Sequence, residues 1–558
     1  ARAGAAAPEP ARAPAAPLDD MNAQKGAPGS GAMLAPAAPA APAARNDGEG
    51  GAAAPGVAAI DPNGRFATTY RPGGGHLAAF ESAVARGIVP PAERELVSDV
   101  GARYAPAIDA PKDVTLALRT DLERAKLPPG GGPVHVRVAL RSTAQAPAAR
   151  PHLSVHLVLD VSGSMAGEPM ARARDAARAL VDRLDARDDF SLVTFSSDAQ
   201  VRIPDGPVGP RRAMIKSTID GISEGGGTNI GRGLELGYAE AARPGIPEGA
   251  VKVVLLLSDG HANAGITRSE WLSWLALDAF QGGIQTSTFG LGTDYDGALM
   301  SGIAGDGAGG YYYLRDPDQI APALATELDK RLDPVATAVE LRVRLKPDVK
   351  LLQVYGSRRL SGAEAARVRA IEVAADAQAQ KRDRIEQDRK DDAEGGMRFF
   401  IPAFSRDDSH AVLLKLGLPA GVDPRAIASI ELKYKDRVAK KNVVDEAPLR
   451  VVYATGDADS AASADPSVAR TVQGFAAGET LSEAARQIAL GDRGRAAALL
   501  SEREGILRAA ADALHEPLFL KDADRLARLR SHTGATDGLG DPLVLAMLLE
   551  TASRSHLH

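Results

Sequence analysis

The chain has 558 residues, with 66 Lys and Arg against 72 Asp and Glu, a net charge of −6. It contains no cysteine, which excludes disulfides, thiolate metal sites, iron–sulfur clusters and thiol nucleophiles. Aromatics are only 4% and no Lys/Arg stripe is interleaved with them, so nucleic acid is not an expected partner; no apolar run approaches the roughly 20 residues of a membrane-spanning helix.

The chain opens at Ala1 with neither an initiator Met nor a charged-then-apolar leader, and reads as a processed or trimmed product. Residues 1–57 are nearly all Ala, Pro and Gly, as in "APAAPAAPAARNDGEGGAAAPG". Such a segment offers too little large apolar surface to offset its ordering entropy, and is expected to be a disordered tether. Residues 58–111 form a mixed N-terminal segment. "RFATTY" predicts a short strand, "GGHLAAFESAVARG" a helix ended by Gly87, and "PPAERELVSDVGARY" a second helix with Pro at its entrance. Residues 112–150 hold "DVTLALRTDL" and "PVHVRVALRS", whose alternation predicts half-buried antiparallel strands.

Residues 151–333 change character. Near-continuous apolar strands ("SVHLVLD", "DFSLVTFS", "AVKVVLLLSDG", "IQTSTFGLG", "GGYYYLRD") alternate with helical segments such as "MARARDAARALVDRLDA", "IGRGLELGYAEAARPG" and "DQIAPALATELDKRL". Strands apolar on both faces and separated by helices predict a doubly wound, mainly parallel α/β sheet. Residues 334–456 return to alternating segments, "TAVELRVRLKP", "VKLLQVYG", "RVRAIEVAA", "MRFFIPAF", "AVLLKLGL", "IASIELKYKD" and "PLRVVYA", the pattern of a β-sandwich. The strands of 112–150 are expected to join it, so that the α/β domain is inserted in a β-sandwich domain. The charged interval 377–396 is expected to be a solvated loop or exposed helix. Residues 457–558 form a C-terminal helical domain, in which Thr480 and Glu483 have capping-box spacing and Gly491 is a stop.

The chemistry concentrates where apolar strands end in oxygen-bearing residues. In "VLDVSGSMAG", Asp160, Ser162 and Ser164 recur with a period of two, which lets their oxygens converge at the C-terminal edge of a parallel sheet, where open α/β sheets hold ligands. A nucleophile reading lacks a pattern: the second acid of a dehalogenase-type pair is replaced by Ser162, and no G-x-S-x-G elbow surrounds either serine. A helix-cap reading is always available to Asp and Ser before a helix. Two further segments shift the balance to a metal. "EGGGTNIGRG" places Thr228 before a helix, and "VVLLLSDGHANAG" places Asp259 at the end of the most apolar strand. All are hard oxygen donors, which select Mg²⁺, Mn²⁺ or Ca²⁺ over zinc. Around them, Glu224, His261 and Asn263 read as solvated loop residues, and Trp271 and Trp274 as packed against the sheet or a neighbouring domain.

The set Asp160-x-Ser162-x-Ser164, Thr228 and Asp259 resembles the metal-ion-dependent adhesion site (MIDAS) of von Willebrand factor type A domains, over residues 152–330. The resemblance implies a Rossmann-like sheet with the cation at its upper edge, direct ligation by Ser162, Ser164 and Thr228, and action largely through water by Asp160 and Asp259. It implies a protein partner that offers Asp or Glu to the metal, in an adhesion or scaffold role and not an enzyme. The wider layout is similar to bacterial A-domain proteins that are often exported lipoproteins, often labelled as calcium-activated chloride channel subunits. That implies an extracytoplasmic setting, periplasm or cell surface, with a lipid anchor upstream of Ala1. The competing expectation is an intracellular partner of an AAA+ ATPase in a chelatase-type assembly.

Overall fold

In chain order, the computed structural model describes residues 59–70, 72–86, 94–145, 150–293, 295–332, 334–389 and 395–533. The expected tether at 1–57, the Gly87 stop, the prolines before the second helix and the last residues from 534 onward lie outside the described residues. The chain enters with β1 (Gly64–Arg65), α1 (Gly75–Ala85) and α2 (Arg94–Arg103), then β2 (Leu116–Leu122) and β3 (Gly132–Ser142). The α/β region runs β4 (Leu153–Asp160), α3 (Glu168–Arg183), β5 (Asp189–Phe195), β6 (Ala199–Ile203), α4 (Arg212–Asp220) and α5 (Ile230–Ala241). It continues through β7 (Val251–Ser258), α6 (Ser269–Gln281), β8 (Ile284–Leu291), α7 (Gly297–Asp306), β9 (Ala308–Leu314) and α8 (Ile320–Leu332). There follow β10 (Pro334–Leu345), β11 (Lys350–Val354), α9 (Gly362–Asp383), β12 (Met397–Ser405), β13 (Ser409–Leu418), β14 (Arg425–Asp436) and β15 (Lys441–Val451). Four helices close the described chain: α10 (Asp457–Ala462), α11 (Pro466–Ala489), α12 (Arg493–Ala513) and α13 (Leu518–Thr533).

Six strands form the α/β sheet in the order β6-β5-β4-β7-β8-β9. Every neighbouring pair is parallel except β5·β6. The continuous apolar pattern has its physical reason in burial on both faces: all eight residues of β4 are buried. Leu153, Val155, Leu157 and Leu159 pack in one layer with α3, α4 and α8, and Val158 packs in the opposite layer with α5, α6 and α7. Helix α5 lies unusually close to the sheet. A Cβ on Gly237 would come within 2.5 Å of Val158, so only glycine lets this helix, and the loop that precedes it, sit where they do.

Strands β2 and β3 precede this unit in sequence, yet β3 pairs with β13, which follows it, in the four-stranded sheet β11-β13-β3-β2. The facing sheet is β1-β12-β10-β14-β15. Val134, Val136 and Val138 of β3 and Val412 and Leu414 of β13 meet Leu341, Phe399 and Ile430 from the other sheet in one core. The α/β unit is thus inserted into a β-sandwich.

Three local expectations are corrected. "RVRAIEVAA" is not a strand but the middle of α9. Ser361 and Glu364 form a capping box that starts this helix, and Ile371, Ala374, Ala375 and Ala379 are buried at helical spacing. Helix α9 is docked through charge as well: Glu372 is 1% exposed and bonded to Arg65, and the Asp376 carboxylate lies 2.7 Å from Lys435 Nζ. Thr480 caps nothing, because α11 runs through it and its hydroxyl donates to Ala476 O. The true start is Asp465, whose carboxylate accepts from Ser467 N and Val468 N ahead of Pro466. Trp271 and Trp274 are not packed; each is 56% exposed.

The N-terminal helices do not stand by themselves. Phe80, Val84, Leu96, Val100 and Tyr104 of the first segment share a core with Leu481, Ile488, Leu500, Leu507 and Phe519 of the C-terminal helices. Where α2 crosses α11, a Cβ on Gly478 would lie 2.8 Å from the Val97 Cα. Gly478→Leu forces these backbones apart and is expected to cost about 3 kcal/mol, read as a lower thermal midpoint; an unchanged midpoint would contradict the crossing.

His156 is enclosed in the sheet, its Nε2 against Ser154 Oγ and its Nδ1 against Ser191 Oγ, both at 2.8 Å. Burial first, then Lys252, pushes its pKa down to about 3. The unfolded chain takes up a proton near pH 6.5 while the native chain does not, so this residue withdraws stability as pH falls from about 6.5 to 3. The stability difference between wild type and His156→Gln is expected to shift against wild type by up to about 1.4 kcal/mol per pH unit over that window. Urea titrations at several pH values measure it, and parallel curves would refute it.

Candidate metal centre

Parallel pairing of β4 with β7 brings their C-terminal ends side by side. Asp160 closes β4 and Asp259 follows β7, so the two carboxylates meet at one sheet edge through topology alone. After Asp160 the chain makes a short turn at Gly163–Met165 and enters α3 behind Gly167. The third loop precedes α5, where Gly225 (φ 150°) and Gly226 (φ 92°) adopt backbone that favours glycine. That loop is stitched to the first by Gly225 N to Val161 O at 2.7 Å and Gly163 N to Gly226 O at 3.2 Å.

The side chains form a connected line of oxygens. Ser258 Oγ donates to Asp160 Oδ2 at 2.5 Å, and Ser162 N donates to Asp160 Oδ1 at 2.8 Å. Ser162 Oγ lies 3.1 Å from Ser164 Oγ, and Ser164 Oγ donates to Asp259 Oδ1 at 2.8 Å. Thr228 is held by its own backbone: its N donates to Asn263 Oδ1 at 2.8 Å, and its carbonyl accepts from Asn263 N at 3.1 Å. Gly260 leaves room for it, since a Cβ there would lie 3.3 Å from Thr228 Oγ1. Asn229 caps α5 by accepting from Arg232 N. Asp160, Ser162 and Thr228 are buried, Asp259 is half-buried and Ser164 is exposed, so the site has a dry floor and an open rim.

Burial pushes the Asp160 carboxyl up to about 6, against the hydrogen bonds from Ser258 and Ser162 and with the help of the Asp259 charge. A buried carboxylate beside a second one is the setting a cation relieves. The donors fit a small hard ion. Adjacent oxygens of an octahedral shell with bonds of about 2.05 Å lie about 2.9 Å apart, close to the Ser162–Ser164 and Ser164–Asp259 separations. Among the described residues no three His, Cys, Asp or Glu gather into a metal cluster; this donor set is hydroxyls with two acids. The hydroxyl hydrogen bonds of Ser162 and Ser164 run to each other and to Asp259.

The structure therefore brings Asp160, Ser162, Ser164 and Asp259 into one bonded line, with the Thr228 loop fastened beside them. Sequence reasoning missed Ser258, and Asn263 is not merely a solvated loop residue: it anchors Thr228. Ser258 was findable as a polar residue ending an otherwise apolar strand. Glu224 pairs with Arg174 at 3.3 Å, and His261 is exposed.

Comparison with known proteins agrees with this architecture. The family description "von Willebrand factor type A domain" matches residues 154–326. "Uncharacterized protein YfbK" of Escherichia coli (strain K12) is 28% identical over 273 residues, 47% of this chain and 47% of that protein. Inter-alpha-trypsin inhibitor heavy chain H4 of Homo sapiens is 29% identical over 192 residues, 33% of this chain and 21% of that protein. The chain thus spans about half the length of the first of these relatives and about a fifth of the second. Among solved structures, one described as von Willebrand factor type A from Catenulispora acidiphila has a TM-score of 0.51 at 20% identity, covering 71% of this chain and 87% of that one.

Proposed function

Since residues 154–326 are a von Willebrand factor type A domain, a family of metal-dependent protein-interaction modules, we propose that this chain binds a protein ligand through a divalent cation. Asp160, Ser162, Ser164, Thr228 and Asp259 hold the ion, with Mg²⁺ preferred and Mn²⁺ or Ca²⁺ able to replace it. The observation that supports this is the line of oxygens from Asp160 to Asp259, spaced as neighbouring ligands of a small cation. Bound there, the ion supplies a Lewis-acidic point at the open rim that a partner's Asp or Glu satisfies. The protein's own part is to fix the donors: Ser258 and Ser162 N orient Asp160, and Asn263 sets Thr228. The role is adhesion or scaffolding without turnover.

We place the chain outside the cytoplasm, at the periplasm or cell surface, on its layout of an Ala/Pro/Gly-rich start followed by an inserted A domain. No helix among the described residues is long and apolar enough to cross a membrane.

Calorimetric titration of metal-stripped protein with Mg²⁺, Mn²⁺ and Ca²⁺ tests the site. One saturable event is expected, absent in Thr228→Ala and Asp259→Ala with unchanged circular dichroism. A partner should be retained in Mg²⁺, released by chelator and not retained by either variant. Wild-type protein that takes up none of the three ions, or binding that survives both substitutions, would overturn the proposal.

A further inference from the structure

A second polar site lies at the opposite edge of the α/β sheet. A cavity of about 320 Å³ opens where the N-terminal ends of β7 and β8 meet the last turn of α9. That is at the small end of the range for ligand pockets and larger than a bare inorganic ion needs. Its walls come from two parts of the fold: the 246–252 turn, the α6–β8 turn and Gln285 on one side, and Gln378, Lys381 and Arg382 of α9 on the other. The walls are already docked. Gln378 Nε2 donates to Phe280 O at 2.8 Å, beside the apolar contact of Leu277 and Phe280 with Ile371 and Ala374.

The charge in this cavity is unbalanced. Arg382 is paired with Asp383 at 2.7 Å, a carboxylate it shares with Arg437. Lys252 and Lys381 have no hydrogen-bond or ion-pair partner among the described residues, and the lining holds one acid, Glu248, which is exposed. Lys252 is half-buried, and burial lowers its pKa, opposed by the charge of Asp205. A lysine withdrawn from water without a partner is an unfavourable arrangement that an anion corrects. Lys252 on one wall and the exposed Lys381 on the other match an acceptor with several oxygens and about two negative charges. Lysine serves that chemistry as a point charge.

We propose that this cavity binds a phosphate-class oxyanion between Lys252 and Lys381, joining α9 to the N-terminal edge of the sheet. The phosphate belongs to a free anion, to a small phosphate monoester or to a lipid headgroup, and the experiment separates these sources. The full chain is titrated calorimetrically with inorganic phosphate and with glycerol 3-phosphate, at ionic strength matched with chloride. It is also co-sedimented with phosphatidylglycerol vesicles. Saturable binding is expected for at least one probe. It should weaken at least tenfold in Lys252→Met and in Lys381→Met and vanish in the double variant. Lys381 is exposed, so Lys381→Met leaves the fold intact and keeps the test informative if Lys252→Met does not fold. Binding of a soluble probe alone assigns a free ligand, and vesicle binding lost in the variants assigns a headgroup. No saturable binding to any probe, or equal binding by wild type and the double variant, overturns the proposal.

Discussion

Asp160→Asn is expected to lower the affinity for Mg²⁺ by about 100-fold while the protein stays folded. The side chain is fully buried and its two oxygens accept from Ser258 Oγ and Ser162 N. An amide of the same shape keeps its carbonyl on Ser162 N and turns its NH₂ toward Ser258, whose hydroxyl rotates to accept. What the substitution removes is the charge. The remaining donors are three hydroxyls and Asp259, and a hard dication held mainly by neutral oxygens loses most of its electrostatic stabilisation. Calorimetry reads the affinity, and thermal unfolding without metal reads the fold. Full affinity in the variant would mean that the buried carboxylate takes no part in holding the ion. Unfolding of the metal-free variant would mean that Asp160 is structural, and the affinity would then have to be read from Thr228→Ala.

Glu327→Ala is expected to destabilise the protein by about 3–5 kcal/mol. This glutamate on α8 is fully buried and is the meeting point of three donors: Ser287 Oγ at 2.5 Å, Tyr312 OH at 2.7 Å and Arg331 Nε at 2.5 Å. It ties α8, the last helix of the domain, to both β8 and β9. Truncation leaves the Arg331 guanidinium buried with its charge unmatched, and strands a hydroxyl on each strand. The double variant Glu327→Leu with Arg331→Met should recover most of the loss, because replacing both ions of a buried pair by apolar groups is often neutral. Urea unfolding of the wild type, single and double variants measures the cycle. A single variant within 1 kcal/mol of wild type would show that α8 is held by its apolar face alone.

How much of this was legible in the sequence depended on the range over which each signal acts. Strands such as β4 and β7, largely apolar because both faces are covered, declared the parallel sheet, and the acids and hydroxyls at their ends marked the candidate site. Ser258 and Asn263 escaped, because what they do is set by which strand ends lie side by side and not by local pattern. In "RVRAIEVAA" the alanines satisfy a strand period and a helix period equally, and the deciding signal is the Ser361–Glu364 box several residues upstream. The exposed tryptophans show the converse: an aromatic pair on a helix does not declare which side it faces, and here Leu272 and Ala276 take the inward positions. Least legible was the pairing of α2 with α11, since two amphipathic helices at opposite ends of a chain carry no mark of each other.

That pairing has a consequence for the life of the polypeptide before it is finished. Helices α1 and α2 emerge before the α/β domain, but the surface that covers Phe80, Leu96 and Tyr104 comes from the C-terminal helices. At ordinary translation rates the stretch from Arg103 to Pro466 takes roughly 20 to 70 s to synthesise. The hairpin of β2 and β3 waits in the same way for β13. The inserted α/β domain, whose sheet and covering helices are contiguous in sequence, can complete itself meanwhile. The nascent protein therefore spends its synthesis as a finished middle flanked by an unsatisfied beginning, which is the interval in which a chaperone holding the N-terminal helices has the most to protect.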